Sequence, residues 1–304
     1  MVHYTCFYSQ GGYGSAGEQP ERPERFCRKS DTLNLLGNTV TTSGTAVVGT
    51  GGDIKITGNG KIVGAANPLA QINDGHLTLE SGEFEATSAY AVNMYGSDNP
   101  SASNYSTLEI GENASLVCTN SWWAFGITIY PSNGADETKT TAAGIVLDVK
   151  GSIITQPLGT SIFAHGYCKD MGVNVPKISI YDGAALQGGI YAGGYCNWNI
   201  SGGMITSYDD SAFEIKSGKL TMTDGTIENR TSSTWHSPSG SGTSTGGYGL
   251  AVVQNNNYAG NIVVNITGGT IKSVNGVATA YASLVDSATS PVPVVNIAGG
   301  VVVP

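Results

Sequence analysis

Positive charge is what this chain has least of. Fourteen Lys and Arg stand against 23 Asp and Glu in 304 residues, a net charge of −9. Holding a phosphate backbone takes clustered Lys and Arg, so nucleic acid is excluded as an expected partner. Beyond residue 28 the only arginine is Arg230. Long apolar runs are missing as well, and without a stretch of about eighteen apolar residues no transmembrane helix is expected. The opening residues, MVHYTCFYSQGGYGSAGEQPERPERF, lack the basic-then-apolar layout of a secretory signal. Two expectations fit that: a signal has been removed, or the protein leaves its cell by another route, as a virion component does. The cysteines are few and scattered, at Cys6, Cys27, Cys118, Cys168 and Cys196, with neither a CxxC pair nor zinc-ligand spacing. No metal and no cofactor is expected. Whether Cys6 pairs with Cys27, or Cys168 with Cys196, stays open.

Charged residues make up only 12% of the chain, while 43 residues are glycine. Glycine with abundant Thr, Ser and Asn favours turns and strands over helices. Hydrophobic residues reach 40%, enough to build a core.

A cassette organises these residues. It reads 54-IKITGNGKIV-63, 77-LTLESGEFEA-86, 108-LEIGENASLV-117, 147-LDVKGSIITQ-156 and 178-ISIYDGAALQ-187, then 199-NISGGMITS-207, 220-LTMTDGTIEN-229, 264-VNITGGTIKS-273 and 295-VNIAGGVVV-303. Apolar residues alternate with polar ones, as in a half-buried strand. The central glycine supplies a backbone conformation that lets the chain turn a corner. A second apolar piece recurs between cassettes, as in 89-AYAVNMYG-96, 124-AFGITIYP-131 and 211-SAFEIKSG-218. Copies lie between 20 and 44 residues apart, so a constant core carries loops of variable length.

This pattern predicts an all-β chain: a single-stranded right-handed parallel β-helix of roughly nine turns over 38–304, with residues 1–37 as an N-terminal capping segment. The segments 162-IFAHGYC-168 and 190-IYAGGYC-196 match 28 positions apart, about one coil. Phe163 is therefore expected over Tyr191, Tyr167 over Tyr195, and Cys168 over Cys196. The apolar cassette 295-VNIAGGVVVP-304 has no polar cap, which points to a truncated chain, a following domain or a partner subunit.

The cassette pattern resembles the right-handed parallel β-helix superfamily of pectin lyases, polygalacturonases and viral tailspikes. A more local stretch, 209-DDSAFEIKSGKLTMTDGTIENRTSS-233 followed by 248-YGLAVVQNN-256, resembles large repeat-bearing surface proteins of gut bacteria and their viruses. That second resemblance implies display at a surface. Polygalacturonases carry a G-D-D-x-I-A-I-K-S-G strand that Asp209, Asp210, Lys216, Ser217 and Gly218 match. If the chain is an enzyme, the resemblance implies Asp209 and Asp210 as its carboxylates, and His236 is the nearest downstream histidine. The partner motifs N-T-D, G-H-G and R-I-K are missing, and two carboxylates on one strand do not make an acid and a base on opposite sides of a glycosidic bond. The plainer reading makes Asp209 and Asp210 solvated turn residues ahead of a strand whose Glu214 and Lys216 point outward.

Aromatic residues suit binding better, because ring faces and polar edges both contact sugars. Candidates are Trp122 and Trp123, which point to opposite faces if on a strand, together with Tyr167, Tyr195 and Trp235; Trp198, Tyr248 and Tyr258 also lie near turns. Rings that merely cover the coil are the competing reading. The expected function is a non-catalytic extracellular, cell-surface or virion scaffold, adhesin-like or glycan-recognising. Its partners would be cell-surface or dietary glycans, other surface proteins, or further copies of itself. The alternative is a glycoside hydrolase or polysaccharide lyase with a divergent site.

Overall fold

The computed structural model describes residues 30–97, 100, 101, 104–120, 124–130, 144–156, 159–165, 172–231, 247–255, 258, 260–274, 278–284 and 292–303. About two thirds of these residues are in strands, and they include one 3-10 turn at Gly172–Asn174. The strands form two parallel sheets, one of 16 strands and one of nine among the described residues. The chain passes repeatedly from the long sheet to the short one and back, and each strand pairs with its counterpart from the next passage. This order is compatible with a β-helix. The first strand, Ser30–Asn34, lies in the segment read from sequence as a cap, yet it already pairs with Asp53–Thr57.

Register explains why the cassette repeats. Ile54 pairs with Leu77, Leu77 with Leu108, and Leu108 with Leu147. The same row continues through Ile178, Trp198, Leu220 and Val264. All eight are buried in one core cluster that also takes the inward residues of the short sheet, such as Val92, Ile127, Ile162, Ile190 and Phe213. Each apolar side chain thus packs on those of adjacent strands, about 4.8 Å away. Full burial of a side chain of this size contributes roughly 1.5–3 kcal/mol.

The corner inside the cassette is softer than a strand break. His76–Ala86, Ser106–Cys118, Cys196–Ser207 and Gly218–Asn229 run through it as single long strands. The ladder absorbs the bend by shifting register, between Leu79 and Ser81 in one strand and between Ile200 and Met204 in another. Gly225 shows why glycine stands there. Its φ is +97°, and a Cβ would lie 2.5 Å from the Gly202 carbonyl oxygen of the strand below. Any larger residue meets both backbone strain and a clash with a neighbouring carbonyl.

The predicted superposition of the two IxAxGYC segments holds where it is described: Ile162 pairs with Ile190, Phe163 with Tyr191 and Ala164 with Ala192. Tyr167 and Cys168 lie outside the described residues, as do Cys6 and Cys27. Cys118 and Cys196 are buried, and burial raises the Cys118 thiol pKa.

Candidate functional site

The outer face of the short sheet concentrates aromatic and titratable groups. Because side chains alternate along a strand, one row of pairs across this sheet faces away from the core. It runs Gln71, Asn93, Thr128, Phe163, Tyr191, Glu214, Ala251. A neighbouring row carries Asn73, Tyr95 and Tyr130.

Rings from adjacent strands stack along these rows and along a third that pairs Tyr90 with Phe125. Tyr90 lies on Phe125 with centroids 5.0 Å apart, Tyr95 on Tyr130 at 5.0 Å, and Tyr130 on His165 at 4.9 Å. Phe163 stacks on Tyr191 at 4.7 Å and meets Phe125 and His165 edge-on. Parallel in-register strands enforce this, because like positions repeat at about one ring thickness plus contact distance. Tyr90, Phe125, Tyr130, Phe163 and His165 are each partly exposed. Since the stacked faces are turned toward one another, the row offers solvent its ring edges. Beside it, the Asn93 amide donates to the Tyr95 hydroxyl at 3.2 Å.

The row then reaches the stretch that most resembled an active site. Glu214 and Lys216 do point away from the core, but both are fully buried rather than solvated, which corrects the reading from sequence. Their charged groups lie 3.3 Å apart. The Lys216 ammonium also donates to the Tyr191 hydroxyl at 3.2 Å and sits over the rings of Tyr191 and Tyr258. The hydroxyls of Tyr191 and Tyr258 are 2.6 Å apart. Tyr258, itself buried, contributes to this burial by placing its ring and hydroxyl against Lys216 and Tyr191. Burial pushes the Lys216 pKa below its ordinary value, and Glu214 and then Asp210 oppose that shift. Such a cation, held by a carboxylate and two phenols, is chemically an enclosed structural pair.

Asp209 and Asp210 are half-buried at the turn before this strand. The Asp209 amide donates to the Ser207 hydroxyl at 3.4 Å, and the Asn229 side chain donates to the Asp210 carbonyl at 2.6 Å. They precede the strand Phe213–Ile215 that carries Glu214, and Asp210 is close enough to Lys216 to raise its pKa. Among the described residues no group of three or more His, Cys, Asp or Glu is arranged to hold a metal ion.

The aromatic candidates separate. Tyr195 is 2% exposed and packs against Val175, so it presents no face to a ligand. Trp198 is equally buried, edge-on to Phe213 at 5.2 Å, because it occupies an inward position of the Leu/Ile row. Tyr258 is buried over Lys216. Trp122, Trp123, Trp235 and His236 lie outside the described residues. The residues sequence reading missed are Tyr90, Tyr95, Phe125, Tyr130, Phe163 and His165. The signal that finds them is an aromatic recurring at one offset within the second apolar piece, Tyr90 with Phe125 and Tyr95 with Tyr130. Comparison with known proteins adds nothing to this geometry: no protein-family model, curated protein or solved structure matches the chain.

Proposed function

We propose that the chain coils as a right-handed parallel β-helix, is displayed outside the cell or on a virion, and recognises glycans without cleaving them. The observation that carries this is the partly exposed row of stacked rings on the outer face of the short sheet, Tyr90 on Phe125 and Tyr95 on Tyr130 and His165. Stacked rings are held in place before any ligand arrives, so little side-chain entropy remains to be lost on binding. The partly exposed edges of Tyr90, Phe125, Tyr130 and His165 suit the hydroxyl-covered edge of a sugar. One ring per strand step of about 4.8 Å is close to the length of one pyranose residue, so an extended glycan lying along the row meets a ring at each sugar.

A polysaccharide-active enzyme is the second reading, and the observation favouring it is Lys216. A lysine with a lowered pKa beside carboxylates is a pattern seen at functional sites. Against it, Lys216 is closed off from solvent and committed to Glu214.

The test combines two measurements on the same protein. Calorimetric titration against a panel of neutral polysaccharide fragments is expected to find at least one ligand, with affinity falling tenfold or more in a Tyr90→Ala/Tyr130→Ala variant that still folds. Mass spectrometry of the same mixtures is expected to find no shortened products. Products that vanish in Asp209→Ala/Asp210→Ala would instead establish the enzyme.

A further inference from the structure

Among the described residues, the unneutralised positive charge lies on the outer face of the long sheet. Six of the eight Lys and Arg among the described residues are committed to acids. Lys55 pairs with Glu80, Lys61 with Glu83 and Glu85, Lys150 with Glu109, Lys216 with Glu214, and both Arg230 and Lys272 with Glu228. Lys177 and Lys219 alone have neither an ion pair nor a hydrogen bond, and both are exposed. They are not strangers in space. On the outer face of the long sheet Lys177 pairs with Asn197, and Asn197 with Lys219, so the two ammonium groups flank one amide in a single row. Ser179, Asn199 and Thr221 form the parallel row beside them. These six side chains line one shallow depression. The Asn197 amide oxygen in its floor has no hydrogen-bond partner, and an acceptor left so is stabilised by any donor that reaches it.

We propose that this depression binds an acidic glycan, with anionic groups on the two lysines and sugar hydroxyls on the amide and hydroxyl row. The two charges sit two strand steps apart, about 10 Å, which suits a polymer with charges separated by neutral sugar units. A nucleic acid fits less well: two lysines neutralise few phosphates, and the net charge of −9 repels the rest. The site is separate from the aromatic face, and neither reading depends on the other.

Calorimetry at low salt with dextran sulfate, hyaluronan and uncharged dextran tests it on the full chain. Dextran sulfate, hyaluronan or both should bind, more weakly as salt rises, and the arm that binds identifies the anion as sulfate or carboxylate. Lys177→Gln/Lys219→Gln should lower the affinity at least tenfold, while Lys177→Arg/Lys219→Arg should keep it. Lys55→Gln/Lys61→Gln removes the same charge elsewhere and should change it less than twofold. The proposal is overturned if neither anionic polymer binds, if uncharged dextran binds equally well, if the two Gln pairs weaken binding alike, or if single-stranded DNA binds more tightly than both glycans.

Discussion

The two sheets use the same residue pair in opposite ways. On the long sheet Lys55 meets Glu80 and Lys150 meets Glu109, each pair at the surface, with side chains 36–48% exposed. On the short sheet Lys216 meets Glu214 with neither side chain exposed at all. Solvated pairs are screened and pay side-chain entropy to hold their geometry, so they contribute little. An enclosed pair is a different object: each ion has lost its water and depends on the other. Between these extremes lies Glu228, which is largely covered while Arg230 and Lys272 are partly open. Identical chemistry therefore spans structural roles from a soluble surface to a polar core, decided by what lies above the sheet.

The largest effect is expected from removing one partner of the enclosed pair. Lys216→Met removes the cation beside the buried Glu214 and is expected to cost about 3–5 kcal/mol, read as a shift of the urea midpoint. Glu214→Leu/Lys216→Met removes both ions and is expected to restore most of that loss. A double variant as unstable as the single one would mean the cluster does more than satisfy itself.

Titration separates the regions next. The Lys216 pKa is lowered on folding, so the unfolded chain binds this proton more tightly. Stability from this group therefore rises with pH between its depressed folded value and its ordinary value near 10.4. Thermal melts of the wild type minus those of Lys216→Met should show that rise. Glu228 behaves in the reverse sense. Burial pushes its carboxyl up, but hydrogen bonds from Arg230 and Lys272 outweigh that and hold it below the usual range. Its contribution is present above about pH 4.3 and is lost as pH falls toward the folded value, a loss that Glu228→Gln should abolish.

The smallest effects belong to the solvated pairs. Lys150→Met is expected to change stability by at most about 1 kcal/mol, and less in high salt. Lys55→Met should melt with the wild type. A large loss at either position would erase the distinction between the sheets.

Much of this architecture was legible before any coordinates. Alternation with a recurrent glycine announced parallel strands in register, and the IxAxGYC match placed Phe163 over Tyr191 correctly. Such inferences work because register is enforced by like residues repeating on like, and because a positive-φ corner such as Gly225 admits little besides glycine. Period-two alternation also placed Glu214 and Lys216 on the outer side of their strand. It could not say whether that side is wet. Alternation reports only which side of a sheet a residue takes, while burial of the outer side depends on distant residues such as Tyr258. For the same reason Tyr195 and Trp198 read as candidate ligand contacts but are covered, and the rings of Tyr90, Phe125 and Tyr130 became a row only once the sheet brought them together. Local sequence thus determined the strands, their corners and their inward faces, since those follow from each residue's own volume and backbone preference. Tertiary structure alone decided which outward charges are solvated, which are sealed in pairs, and that Lys177 and Lys219 share a row, because solvent access and cross-strand neighbours are set by residues 20 or more positions away.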